Sequence, residues 1–179
     1  MTQFREFYNA DMSRYESKPD IYVRMFLYFG RRTMCSKFYP IKLLYKLLFR
    51  LLGNMRGMEI STLAKIERGL YLGHAWNITI NPAVEIGYNC NIHKGVVIGR
   101  VNRGEHEGVP TIGNKVWIGI NSAIVGKINI GDDVLIAPNS FVNVDVPSHS
   151  IVFGNPCVIK HRENAIEHYV NNCYSSNQE

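Results

Sequence analysis

The sequence predicts an all-β solenoid with a helical segment before it and a short helix after it, and three observations carry that prediction. An aliphatic residue recurs every six positions at Ile86, Ile92 and Ile98, then at Ile112, Ile118, Ile124, Ile130, Ile136 and Val142. A second small or aliphatic residue follows four later, at Cys90, Val96, Val116, Ser122, Ile128, Val134, Ser140 and Val146. Glycine follows the first register at positions 87, 99, 113, 119 and 131. An amphipathic helix needs apolar residues at 3.6 spacing and a sandwich needs turn clusters every 8–12 residues, so a fixed short period with glycines points to a solenoid. Each hexad is one short strand and one tight corner, both registers face inward, and three hexads close a triangular coil. The second register extends backwards through Val84, Ile78, Leu72 and Ile66, which sets the solenoid at about residues 59–150.

Residues 1–57 have few glycines and many aromatics. A first helix is expected from Pro19 to Phe29, with Gly30 as its stop. A second is expected from Pro40 to Leu52, stopped by Gly53; Ile41, Leu43, Leu44, Leu47, Leu48, Leu51 and Leu52 form a broad apolar side, and Lys42, Lys46 and Arg50 recur at i, i+4 and i+8. Two readings of this helix stand. It covers the open first coil or a subunit contact, which the exposed end of any solenoid requires, or it lies as a basic amphipathic helix on an anionic bilayer. Between Ile98 and Ile112 the interval is 14 rather than 12, so a polar loop at 100–110 leaves the coil. After Val146-Pro147, residues 161–179 read as a terminal helix and tail. The expected division is therefore 1–57 helical, 58–160 solenoid and 161–179 appendage.

The chain has 179 residues, 46% hydrophobic and 20% charged, which excludes a disordered or collagen-like polymer. The net charge of +5 suits an anionic partner, but Lys and Arg are dispersed and no nucleic-acid recognition motif is present. Four cysteines without CxxC spacing, no apolar signal segment and no run of about 18 apolar residues predict a reduced, cytoplasmic protein without a membrane span.

The hexads, together with Asn114-Lys115-Val116-Trp117-Ile118-Gly119, with Asp132-Asp133-Val134 through Ala137-Pro138-Asn139-Ser140, and with Gly154-Asn155-Pro156, resemble the hexapeptide-repeat acyltransferases over about residues 58–160. That resemblance implies a left-handed parallel β-helix, a homotrimer and acetyl-CoA as acyl donor. Within the family, the stretch from Met58-Glu59-Ile60 to Gly73-His74-Ala75 resembles the serine acetyltransferases without a gap. It implies that His74 is a general base and that Glu59 orients it. An acceptor hydroxyl must lose its proton as it attacks the thioester, and an imidazole held in one tautomer contributes about 10²–10⁴-fold to such a step.

On the same alignment three acceptor-side positions depart from the family, with Gly73 for an acid, Gly108 for an arginine and Val109 for a second histidine. An amino acid's charged ends would then lack partners, which is costly in a pocket. The expected acceptor is therefore a saccharide hydroxyl, held by Trp76, Asn77, Asn81 and His106; serine is the alternative, and a non-catalytic scaffold the next. Whether His93 joins the site stays open. For the cofactor, the resemblance points to Trp117, Gly119, Ile120, Ala137, Pro138, Asn155 and Pro156, with Lys160 for the phosphates. No metal is expected, because His74, His93 and His106 lack the spacing of a three-histidine centre.

Overall fold

The structure, a computed structural model, describes residues 3–175. Three helices come first: α1 (Gln3–Ser13), α2 (Ile21–Cys35) and α3 (Tyr39–Met55). Five coils follow. The first is β1 (Glu59–Ile60), β2 (Lys65–Ile66) and β3 (Tyr71–Gly73); the second is β4 (Thr79–Ile80), β5 (Glu85–Ile86) and β6 (Asn91–His93). The third is β7 (Val97–Gly99), β8 (Thr111–Ile112) and β9 (Val116–Ile118); the fourth is β10 (Ala123–Val125), β11 (Asn129–Ile130) and β12 (Val134–Ile136). In the last coil β13 (Phe141–Val142) and β14 (Ser150–Phe153) flank a single bridge at Val146, and β15 (Val158–His161) turns back antiparallel on β14.

Stacked coils make three parallel walls. The first wall is β1-β4-β7-β10-β13, the second β2-β5-β8-β11, and the third β3-β6-β9-β12-β14 closed by β15. Every inward position of both registers is buried, from Ile86 to Val142 in one and from Cys90 to Val146 in the other. Coils approach so closely at the corners that a Cβ on Gly119 would stand 2.6 Å from the Pro138 backbone nitrogen of the next coil.

The period breaks once where the sequence alone looked continuous. Ile66 pairs with Ile86 and Leu72 with Ile92, so both belong to the first register, while Ala64 and Leu70 carry the second. The step from Leu72 to its next register mate, Ile80, is two residues longer than a hexad. Those extra residues form the corner His74–Asn77, where His74 and Asn77 both adopt left-handed backbone with φ of 52°. Because Ile78 falls six after Leu72 and is also inward, the insertion leaves the apolar rhythm intact.

Gly30 and Gly53 do not stop their helices, which run on to Cys35 and Met55. They are points of contact. A Cβ at Gly30 would stand 2.8 Å from the Phe49 ring, and one at Gly53 2.7 Å from the Met58 carbonyl. Asp20 caps α2, its side chain accepting from the Val23 amide at 2.8 Å, and Pro19 lies outside the helix. The cover of the first coil is built by Tyr22, Val23, Phe26 and Leu27 of α2 with Phe49 of α3. On the leucine side of α3, Leu52 packs partly against it, while Leu43, Leu44, Leu47 and Leu51 stay exposed.

Helix α1, absent from the sequence expectation, is joined to the coil by buried ions. Arg31 holds Asp11 through Nε–Oδ2 at 2.8 Å and Nη2–Oδ1 at 3.0 Å, and donates to the Ile66 and Glu67 carbonyls at 2.6 and 2.7 Å. Asp11 also accepts from the Leu70 amide at 2.9 Å. Arg14 reaches the Gly69 carbonyl and Asn91 Oδ1, both at 2.7 Å.

The expected terminal helix is instead a chain of turns over 163–169; residues 176–179 lie outside the described residues. Asn164, His168 and Asn172 adopt left-handed backbone, which interrupts any helical ladder. Side chains of the coil capture the segment's backbone groups: Asp133 accepts from the Ala165 and Ile166 amides at 3.2 Å, and Asn91 donates to the Tyr169 carbonyl at 3.0 Å. Among the described residues no helix is long and apolar enough to cross a membrane.

Candidate active site

The corner between the third wall and the first forms a continuous edge along the solenoid. Its turns are tied by backbone hydrogen bonds: Lys94 N to Gly73 O at 3.0 Å, Asn121 N to Lys94 O at 3.0 Å, Asn139 N to Ile120 O at 2.9 Å and Phe141 N to Gly154 O at 3.0 Å. His74 and Trp76 stand at the first turn of this edge. Gly119 and Ile120 stand at the third, Ala137 and Pro138 at the fourth, and Asn155 and Pro156 at the fifth. Seven of the expected cofactor and catalytic positions therefore share one edge, with the candidate base at one end. His74 and Trp76 are exposed there, and the Asn77 amide is spent on the Arg56 carbonyl at 2.8 Å.

Glu59 lies on the neighbouring wall, where it pairs with Thr79 of the strand that follows the His74 corner. No hydrogen bond or ion pair joins its carboxylate to the imidazole among the described residues. Glu59 lines an open cavity of about 730 Å³ between α3 and the first wall, together with Asn81, Lys46, Arg50, Arg100 and Asn102. Lys46 and Arg50 were read from the sequence as one stripe of a helix, and the fold turns them toward Glu59. Their spacing identified a face but not what it faces.

His106 does not reach His74 within one chain. Its loop leaves at the opposite corner of the first wall and folds into a short hairpin, with Val101 and Gly108 exchanging hydrogen bonds at 3.0 Å. The Lys127 amide donates to the His106 carbonyl at 2.9 Å, which ties the hairpin down on the next coil. Trp117 departs from the edge as well. It sits half-buried on the third wall, 4.7 Å from the His93 ring and 5.1 Å from the Tyr169 ring. Lys160 lies on β15 with Nζ 5.6 Å from the Phe153 ring centroid. Both outcomes follow from the terminal segment folding back over that wall.

His93 pairs with Gly73 across adjacent coils, and its ring fills the space where a side chain at position 73 would project. Desolvation, and then the nearby His74, push its pKa down to about 4, so it is neutral at physiological pH. Its Nε2 is buried without a partner among the described residues. The two-residue insertion produces this pairing, since a strict 18-residue coil would have set Gly73 beside Asn91 instead. Gly73→Ala is expected to cost about 1–3 kcal/mol by driving a methyl into that ring. His93→Ala in the same chain should recover most of the loss, and a double-mutant cycle by urea unfolding measures the coupling.

Among the described residues no group of three His, Cys, Asp or Glu is placed to hold a metal ion. Residues 110–143 match the family described as bacterial transferase hexapeptide (six repeats). A serine acetyltransferase of Helicobacter pylori is 37% identical over 99 residues, 55% of this chain and 58% of that protein. One of Synechococcus elongatus is 32% identical over 111 residues, 62% of this chain and 46% of that protein. The chain thus spans about half the length of these curated relatives. Among solved structures, the serine acetyltransferase of Neisseria gonorrhoeae superposes with a TM-score of 0.72 at 26% identity, covering 91% of this chain and 67% of that one. Serine acetyltransferase in complex with coenzyme A from Brucella abortus superposes with a TM-score of 0.74 at 23% identity, covering 89% and 67%. The parallel walls match a left-handed β-helix. Residues 110–143 carry the hexapeptide repeat of that family, and the coil as a whole resembles the serine acetyltransferases in build.

Proposed function

We propose that the protein is an acetyl-CoA-dependent O-acetyltransferase whose acceptor is serine or a close hydroxy amino acid. The acceptor hydroxyl oxygen attacks the thioester carbonyl, its proton passes to the His74 imidazole, the carbon–sulfur bond breaks, and the CoA sulfur leaves as the thiol after protonation. The pantetheine arm runs along the edge past Gly119, Ile120, Ala137 and Pro138 toward Asn155 and Pro156. The coenzyme A complex of the Brucella relative supports this donor.

The serine acetyltransferase relatives carry the acceptor, and the cavity beside the first coil, which Glu59 and Asn81 line with Lys46, Arg50 and Arg100 but His74 does not, is compatible with it. Charges of both signs suit a small zwitterion: cations from α3 and the loop stand in for the arginine and histidine missing at Gly108 and Val109, and Glu59 is an acid that could serve for the one missing at Gly73. The serine acetyltransferase relatives favour the same acceptor over the saccharide expected from the sequence. A homotrimer is supported by the outward side of the last three strands of the first wall, which presents Val97, Ala123, Val125 and Phe141, whereas the second wall presents Lys65, Glu85, Thr111 and Asn129.

Free-thiol release from acetyl-CoA with serine, other hydroxy amino acids and a sugar panel tests the proposal. Turnover that depends on serine is expected. Turnover with sugars alone returns the acceptor to the saccharide class, and failure to bind CoA leaves a scaffold.

A further inference from the structure

Helix α3 wears its apolar side outward. Phe49 and Gly53 are its buried residues, while Leu43, Leu44, Leu47, Leu51 and Met55 are 52–65% exposed, and Phe38 and Tyr39 at its start are 64% and 73% exposed. These positions form one contiguous arc of the helix, and Lys42, Lys46 and Arg50 run along its flank. From Ile21 to Met58 the sequence has eight Lys or Arg and no Asp or Glu, although the whole chain is only +5, so the remainder is net negative. Lys37, Lys42, Lys46 and Arg50 make no ion pair among the described residues.

We infer that α3 is an interfacial anchor that lays this face into an anionic lipid surface. Leucines with a Phe-Tyr pair at one end supply the apolar side that enters the headgroup boundary, and Lys37 and Lys42, which stand outside the Glu59 cavity, supply the attraction to negative headgroups. A second copy is the poorer occupant. A two-fold contact would set the row of Lys42, Lys46 and Arg50 against the same row, with no acid between Ile21 and Met58 to pair it. The anchor would hold the coil and its edge at the membrane surface, and it is independent of which hydroxyl the enzyme acetylates.

Co-sedimentation of the full chain with lipid vesicles tests it. Vesicles of phosphatidylcholine containing about 30% phosphatidylglycerol should bind at least ~10-fold more protein than pure phosphatidylcholine, and about 0.5 M salt should remove most of the difference. Leu47→Glu combined with Leu51→Glu should abolish binding without changing the thermal unfolding of the coil, since both side chains are exposed. Lys37→Gln with Lys42→Gln should weaken only the preference for anionic lipid. Equal binding to both vesicles, or binding that survives the double glutamate, overturns the inference. So does an absence of binding, including the case in which the double glutamate shrinks the particle measured by light scattering, which would assign the face to another copy.

Discussion

Asp11→Ala is expected to destabilise the chain by about 3–5 kcal/mol, the cost typical of removing one partner from a buried ion pair. The carboxylate is fully buried and binds Arg31 through both oxygens while accepting from the Leu70 amide. Its removal strands a guanidinium that also serves the Ile66 and Glu67 carbonyls. Those carbonyls belong to the first coil, which has no coil before it to complete its ladder. The loss therefore spreads from α1 through α2 to the open end of the solenoid. Equilibrium unfolding in urea measures it, with Asp20→Ala as the comparison, where loss of the exposed ion pair with Arg56 at 3.2 Å and of the α2 cap together costs about 1–2 kcal/mol. A loss at Asp11 no larger than that at Asp20 would show that the helices contribute little to the coil.

The coil core was readable because a hexad leaves little choice: Ile92, Ile98, Ile118 and Ile124 must point inward if any of them does, and all are fully buried. The His74 corner was legible as chemistry but not as geometry. Ile78 stands in for the register mate that should follow Leu72, so no break in apolar spacing announces the two inserted residues, and the pairing of Gly73 with His93 stays hidden without it. Helix α1 was invisible for another reason. Its anchors are an Asp and an Arg that meet residues far along the chain, and Phe4, Phe7, Tyr8 and Met12 stand at helical spacing over too few residues to identify a helix alone. The terminal segment failed in the opposite direction, since a plausible helical pattern at 162–172 lost the Ala165 and Ile166 amides to Asp133 and the Tyr169 carbonyl to Asn91. In the same way the cavity cations Lys46 and Arg50 were visible as a stripe, and only the docking of α3 decides that they overlook Glu59.

His74→Ala should lower serine-dependent thiol release at least ~100-fold while leaving the oligomer and its unfolding midpoint in place. His74 occupies a corner that is two residues longer than its counterparts, is exposed, and adopts left-handed backbone, so its side chain contributes nothing to the core. A stability loss is therefore not available as an explanation for lost turnover. The alternative base on this side of the chain is His93, which is neutral, adjacent to Gly73 and coupled to His74. The two are separable by substitution. If His74 takes the proton, His74→Ala collapses kcat with CoA binding retained, because the donor contacts lie farther along the edge at Gly119, Ile120, Ala137 and Pro138. His93→Ala would then alter turnover far less, acting only through the packing that holds the corner. If His93 is the base, the order reverses, and the buried, partnerless Nε2 becomes the reactive atom. Glu59→Gln decides the remaining role: a carboxylate that orients His74 predicts a drop in kcat with little change in the KM for serine, whereas a carboxylate that binds the acceptor's ammonium predicts the reverse.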